Sequence, residues 1–338
     1  MFYTCAMKQR NKQKIFLVIN LSFFGDVLLT NSLCQNIRLN YPDAKIVFLV
    51  NKPFFEAAKN QLCVDDVLVF DKRTEHKGFC GLLKFIFSCP YKNKIFASFV
   101  MYDNDRGNLI SFLLGAKVRV AGGVNFFKFL VTHKYSHDTT RLHHMQDING
   151  AYIEVLTGKD AEILPIRYVT NPTKDAFVCN FLSKNKGKDF VGLCTVSKNK
   201  EKDMPIETAI GIINKYAQEG KTVLFLGAGK TCEDYVNELY KRGCSNFENL
   251  VNATSISSLA NILKLCKVLI SVDTGTMHLS CAVDTPVAAV FYKADTIEKW
   301  APREFLYKSI VIKENYSASN ICMQADKLLS GTIEKIIG

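Results

Sequence analysis

Short apolar runs alternate with stretches whose apolar residues recur at helical spacing, first over residues 15–123 and again from residue 190 onward. This alternation predicts βαβ units and a parallel sheet in each half. Strands buried on both faces read as unbroken Val, Ile, Leu and Phe runs, and the crossovers between them read as amphipathic helices. In the first half, strands are expected over 15–19, 45–50, 67–70, 95–101 and 118–121, with helices starting near Gly25, Pro53, Gly78 and Asp105. Residues 125–141 are less regular and rich in Phe, Lys and His, and 147–157 reads as a helix. The second half reads as strand 191–194, helix 205–218, strand 222–226, helix 232–241, a short strand at 250–251, helix 255–265, strand 268–272, helix 276–282 and strand 287–291. Asn171-Pro172 interrupts the pattern, so the halves are expected to meet near 160–175. The expected organisation is one Rossmann-like domain over 1–165 and another over 175–338, with the last helix packing back on the first.

Length agrees with this division, since 338 residues exceed the size at which one core keeps growing. Lys and Arg number 43 against 32 Asp and Glu, and the resulting charge of +11 points to anionic partners: nucleic acid, phospholipid head groups or phosphorylated substrates. Charge does not choose among them. The 12 cysteines are scattered through strand and helix patterns without a C-x-x-C pair, which favours a reduced cytosolic compartment over a disulfide scaffold. Lys8, Arg10, Lys12 and Lys14 are not followed by an apolar core and cleavage site, and no run reaches ~18 apolar residues. The expectation is a protein neither secreted nor membrane-spanning.

Ligands of open parallel sheets sit at the carboxyl ends of the strands, so the loops that follow strands are where chemistry is expected. The first such loop, Asn20-Leu21-Ser22-Phe23-Phe24-Gly25-Asp26, places Asp26 in the first turn of a helix. An acidic residue there complements the positive end of the helix dipole. A carboxylate at that edge also suits a general base that takes a proton from a hydroxyl. Both readings stand. In the second half, Ser271-Val272-Asp273-Thr274-Gly275-Thr276-Met277-His278-Leu279 leaves an apolar strand and opens a helix. Small residues admit a phosphate to backbone N–H groups, and the helix N-terminus contributes roughly half a positive charge, so an anion site is expected. A helix cap at Asp273 and a packing role for His278 are the competing readings.

Gly227-Ala228-Gly229-Lys230-Thr231 invites comparison with a P-loop, but Leu224 stands where the first glycine is required. What remains is a strand-to-helix turn suited to a ribose or phosphate, with Glu233 a candidate for ribose hydroxyls and a plain turn as the alternative. Lys198, Lys200 and Lys202 precede a helix beginning at Pro205. Lys198 and Lys200 are expected to be solvated, and Lys202 to neutralise charge on a departing diphosphate. His133, His137, Asp138, His143 and His144 are metal-ligand types, but their spacing matches no zinc pattern; a mobile acceptor-side loop without metal is expected.

Taken together, the strings resemble glycosyltransferase family 9, the ADP-heptose:lipopolysaccharide heptosyltransferases, over nearly the whole chain. Phe24-Gly25-Asp26-Val27-Leu28-Leu29-Thr30 with Tyr41-Pro42-Asp43-Ala44 is similar to the family's opening motif. Ser271 to Leu279, continued by Thr285-Pro286-Val287, is similar to its Asp-Ser/Thr-Gly-x-x-His-Leu signature. Arg106 with Gly115-Ala116, and His144 through Asn149, echo further features. The resemblance implies an α/β GT-B fold, two Rossmann-like domains facing across a cleft with the acceptor on the N-terminal side and the nucleotide on the C-terminal side. It implies transfer of heptose from ADP-heptose to the inner core of lipopolysaccharide or lipooligosaccharide, with inversion and without a metal ion or any cofactor beyond the nucleotide sugar. Residue by residue, Asp26 would be the general base, Lys202 the diphosphate contact, and Asp273, Thr274, Gly275, Thr276 and His278 the donor loop. Thr195 and Glu233 join the donor side, and Arg106 and His144 the acceptor side.

Two departures bear on the donor. Cys194-Thr195-Val196-Ser197 stands in place of the family's Pro-Gly, and Lys202-Asp203-Met204-Pro205 in place of its Lys-x-Trp-Pro, so another nucleotide sugar or acceptor is the alternative within the family. A phosphorylated glycolipid acceptor at the anionic inner leaflet would account for the basic charge, with the enzyme cytoplasmic and peripheral on that membrane face. Residues 79–87 and 126–130 either lie on that surface as amphipathic stretches or form core helices. From other classes, a non-catalytic nucleotide- or nucleic-acid-binding Rossmann protein would use the charge without Asp26. The aromatic-basic motifs of RNA-binding modules are not evident, so no nucleic-acid partner is expected. A dehydrogenase is disfavoured because no G-x-G-x-x-G follows the first strand.

Overall fold

A computed structural model describes residues 13–122 and 126–330. Lys8, Arg10 and Lys12 of the leader reading, the irregular stretch's first residue Asn125, and the last residues of the expected second domain, 331–338, lie outside the described residues.

In the first half, β1 (Ile15–Asn20) leads through α1 (Phe24–Leu29) and α2 (Asn31–Asn40) to β2 (Lys45–Asn51), and α3 (Phe55–Lys59) leads on to β3 (Asp66–Phe70). Next come α4 (Gly78–Ser88), β4 (Ile95–Val100), α5 (Asp105–Leu113), β5 (Val118–Ala121), the short β6 (His133–Lys134), α6 (Met145–Gly150) and α7 (Glu154–Thr157). The second half opens with α8 (Ala176–Lys184) and β7 (Phe190–Cys194), then α9 (Ile206–Gln218), β8 (Thr222–Phe225), α10 (Lys230–Lys241) and β9 (Glu248–Asn249). It closes with α11 (Ile256–Leu265), β10 (Cys266–Val272), α12 (Gly275–Ala282), β11 (Val287–Val290), α13 (Ile297–Trp300), β12 (Ser309–Ile312) and α14 (Ala318–Leu329).

The strands form two six-stranded parallel sheets, ordered β3-β2-β1-β4-β5-β6 and β12-β11-β10-β7-β8-β9. Counted from its own first strand, the second sheet repeats the order of the first, and strand order reverses beside β1 and β4 in one and beside β7 and β10 in the other. Crevices form at the carboxyl ends of such reversal points. Both expected motifs sit there, after β1 and after β10.

Alternation along the central strands builds the cores. Phe16 and Val18 of β1 pack with Leu33, Ile37, Tyr152 and Ile153, whereas Leu17 and Ile19 face Leu82, Phe85, Ile110 and Leu114 of α4 and α5. In β10, Val268, Ile270 and Val272 meet the α9 and α14 side, and Leu269 meets α11 and α12. Each such side chain contributes about 1.5–3 kcal/mol by burial. Residues 159–174 run between the domains and are stitched to both. Arg167 N–H donates to Asn31 Oδ1 at 2.8 Å, Tyr168 N–H to Ala282 O at 2.9 Å, and Val169 N–H to Asn60 O at 2.7 Å.

The structure differs from the expected elements in detail. The helix over 147–157 contains a 3-10 turn at Ala151–Ile153 between α6 and α7, and all three residues of that turn are buried. The strand expected at 250–251 lies at Glu248–Asn249, while Leu250 turns into the core. Two edge strands hold two residues each, and β12 and α14 complete the second sheet beyond the last expected strand. The last described helix, α14, buries Ile321, Cys322 and Ala325 against α9 and β10–β12.

Candidate active site

Asn20 closes β1 and organises the loop after it. Its amide donates to Thr30 Oγ1 at 2.8 Å and to Asp26 O at 3.1 Å, while its Oδ1 accepts Ser22 N–H at 2.9 Å. Asp26 is the third residue of α1, and its Oδ2 accepts the Phe23 N–H at 3.2 Å. The capping role is therefore real, and it uses one oxygen; Oδ1 has no hydrogen bond to the described residues. Burial raises the Asp26 carboxyl above its ordinary range, against the opposing pull of the Phe23 N–H and the Lys198 charge.

The second loop leaves β10 at Asp273, whose Oδ2 lies 2.5 Å from Lys202 Nζ. Their side chains are 9% and 19% exposed, so the pair is partly withdrawn from water. Thr274 caps α12 in extended conformation without a side-chain bond, its carbonyl accepting the Met277 N–H at 3.1 Å. His278 is buried one turn further on. Burial pushes its imidazole down to about 4, with the Asp273 charge opposing and the Lys202 charge assisting, so it is neutral at pH 7. It packs against Gly25, with Trp300 at 6.4 Å between ring centroids. The packing reading holds for this histidine, with the addition that what it packs against belongs to the other domain.

The loop after β7 folds around Asp203, which accepts Ser197 N–H at 2.7 Å, and around a 3-10 turn at Lys200–Lys202 capped by Asn199. Lys198 is not simply solvated. Its Nζ stands 3.1 Å from the centroid of the Phe23 ring, across the domain boundary, and its charge acts on Asp26. Sequence reasoning missed Lys198 because its partner is 175 positions away in the chain and no local spacing announces the contact.

Two cavities meet here. One, of about 630 Å³, lies between the domains and is lined by Phe24, Ser197, Lys198, Gly227, Thr274 and Thr276, among others. The other, about 620 Å³, lies on the carboxyl edge of the first sheet against Phe23, Lys52, Phe70, Arg73 and Thr74. Phe54 and Lys198 line both. Asp26 lines neither cavity, and neither do Lys202 and Asp273; Asp26 is linked to the cavities through Phe23, whose N–H it accepts, and through the charge of Lys198. Arg106, exposed at the start of α5, stacks its guanidinium 5.6 Å from the Phe70 ring of the second cavity.

Other expected residues stand apart. Thr195 is fully buried beneath its loop, its carbonyl accepting Met204 N–H at 2.8 Å; Met204, in the place of the family's tryptophan, is itself buried in the core. Glu233 turns to Asn252 Nδ2 at 2.7 Å, and Asn252 in turn accepts Gly229 N–H at 2.7 Å, so Glu233 braces the turn whose Gly227 and Ala228 reach the cavity. His144 caps α6 by accepting Gln146 N–H at 3.2 Å, and its Nε2 donates to Ala301 O at 3.0 Å. Burial, then the Arg303 and His278 charges, push it down to about 3. It is a neutral strut between domains, next to the Arg303–Asp147 ion pair. His133, His137, Asp138 and His143 do not converge: they engage Thr132, Tyr135, Thr140 and Glu298 respectively.

The family model for glycosyltransferase family 9 (heptosyltransferase) matches residues 109–325. A lipooligosaccharide heptosyltransferase 2 of Campylobacter jejuni is 23% identical over 89% of this chain and 85% of its own length. A glycosyl transferase family 9 structure from Veillonella parvula superposes with a TM-score of 0.83 at 19% identity, covering 94% of this chain and 98% of that one. The E. coli ADP-heptose lps heptosyltransferase II gives 0.78 at 16% identity, covering 95% and 99%. These folds share the paired Rossmann-like domains of the GT-B arrangement. The family match spans well over half of the sequence and contains the Asp273 loop, and on that ground the chain belongs to glycosyltransferase family 9.

Proposed function

We propose that the protein transfers heptose from ADP-heptose to the inner core of a phosphorylated glycolipid, lipopolysaccharide or lipooligosaccharide, at the cytoplasmic face of an anionic membrane. The first domain, to about residue 165, would hold the acceptor, and the second, from about 175, the nucleotide sugar. One observation carries this reading: the helix bearing Asp26 and the helix opening at Gly275 meet at their N-termini between two cavities that share a wall at Lys198 and Phe54. Each cavity is of the size that encloses a small ligand. Asp26, with one oxygen uncommitted and a raised affinity for protons, removes the proton of the attacking sugar hydroxyl. Attack from the acceptor side on the anomeric carbon, with the nucleotide leaving on the other, inverts that centre.

The departing diphosphate meets the N-terminus of α12 and the ammonium groups of Lys198 and Lys202. These groups supply positive charge without a metal ion, which supports a metal-independent transfer. Nucleotide release from a panel of ADP-, UDP- and GDP-sugars, in the presence of a delipidated core acceptor, tests the assignment. Release of ADP alone is expected; release of UDP or GDP would overturn the donor.

A further inference from the structure

The basic charge is concentrated in one stretch. Residues 72–130 carry ten lysines and arginines against three acidic residues, most of the chain's net +11. In the fold this stretch supplies one outer layer of the first domain, with α4 and α5 side by side on the sheet and the 3-10 turn Phe126–Leu130 along α5. Phe127 N–H donates to Asp105 Oδ1 at 2.8 Å and Arg119 Nε to Leu130 O at 2.6 Å, which fasten the turn in place.

Leu82, Phe85, Ile86, Ile110 and Leu114 point inward and complete the core. Five phenylalanines of the stretch do not. Phe79, Phe87, Phe112, Phe126 and Phe129 are 68%, 72%, 46%, 77% and 71% exposed. Cations are interleaved with them: Lys92 Nζ stands 3.8 Å from the Phe87 ring centroid, the Arg119 guanidinium 5.5 Å from that of Phe112, and Lys117 and Lys128 are exposed alongside. The acidic residues are engaged locally, Glu75 with Lys84, Asp105 with the Phe127 N–H, and Asp103 against Gly122.

We infer that this layer docks on an anionic phospholipid bilayer, its phenylalanines entering the headgroup region and its lysines and arginines facing lipid phosphates. Charge selects this occupant. A second copy applied symmetrically would set the same basic layer against itself, whereas an anionic leaflet complements it. The layer begins at Lys72 and Arg73, which also line the cavity on the first domain, so a glycolipid head group in the docked leaflet lies next to that cavity. The inference rests on the transferase reading only for what the docked enzyme does; the surface itself stands on exposure and charge.

Co-sedimentation of the full chain with phosphatidylcholine vesicles, with and without phosphatidylglycerol, tests it. Binding is expected only with phosphatidylglycerol and is expected to weaken with salt. The pair Phe126→Ser and Phe129→Ser should lower partitioning roughly tenfold or more, and Lys117→Gln and Lys128→Gln roughly fivefold each. ADP release with a delipidated acceptor should persist in these variants, which shows that they fold. Equal binding to neutral vesicles, or unchanged binding by the phenylalanine pair, would overturn the inference. So would a parent dimer converted to monomer by the same substitutions, since a second copy would then be the occupant. Failure of the parent protein to release ADP counts against the transferase reading and leaves the vesicle result to decide docking.

Discussion

A Cβ added to Gly25 would stand 3.6 Å from the Cα of Gly275, so α1 and α12 meet glycine to glycine across the domain boundary. The space a side chain would need at Gly275 is filled by the Phe24 ring, and that at Gly25 is bounded by His278 Cδ2 at 3.2 Å. Interdomain packing thus accounts for both motif glycines.

Gly275→Ala is expected to displace Phe24 and with it the start of α1, two residues from Asp26. Misplacement of a catalytic group by about 1 Å can cost about 10² in rate, and overpacking costs about 1–3 kcal/mol of stability. Steady-state kinetics and thermal melting measure the two effects. Gly25→Ala should be milder, because its nearest neighbour is a ring edge at 3.2 Å rather than an overlapping one.

The Lys202–Asp273 pair is short, at 2.5 Å, and largely shielded. Removing either partner strands the other charge, so Lys202→Met or Asp273→Asn should each destabilise by about 3 kcal/mol, the lower end for buried pairs. The double substitution should cost less than the sum. Both single variants should also raise the donor KM. Urea denaturation of the double-mutant cycle checks the coupling, and strict additivity would contradict it.

Asp26 has its proton affinity raised by burial and lowered again by Lys198. If Asp26 is the base, kcat/KM falls as pH drops through its pKa, with a midpoint above the ordinary carboxylate value. Removing the Lys198 charge in Lys198→Met takes away a lowering influence, so the acid limb should move to higher pH. A pH–rate profile of the two proteins gives the sign directly.

His278 and His144 are held neutral, down to about 4 and about 3 by burial. Unfolding returns them to the ordinary histidine range near 6.5, so below that pH the unfolded state binds more protons. The stability they allow is complete above about 6.5 and is lost as pH falls through their folded values, at up to about 1.4 kcal/mol per pH unit for each. Chemical denaturation from pH 7.5 to 4.5 should show this slope, and His278→Gln should flatten it.

The central strands and the two strand-end loops were legible in the chain because fully apolar runs such as 15–19 and 268–272 leave no alternative to burial on both faces, and a parallel sheet then fixes where its carboxyl edge lies. Two-residue edge strands carried no periodicity to read, so β6 and β9 take their register from a neighbour's free edge. In the candidate site, Asp26 and the Asp273 loop could be singled out because each follows its strand directly. The separate fates of three nearby lysines could not, since Lys198 is fixed by Phe23 and Lys202 by Asp273, both distant in sequence. Of the expected site residues only Thr274 and Thr276 line a cavity, and Glu233 is turned away for a related reason: the direction of a turn is set by partners such as Asn252, not by the turn's own residues.

Single-turnover ADP release by Asp26→Asn, measured beside ADP binding by the same protein, tests whether Asp26 is the general base. Binding within about threefold of the parent is expected, with release slowed by about 10²–10⁴, the usual contribution of a general base. Release at close to the parental rate would contradict that role.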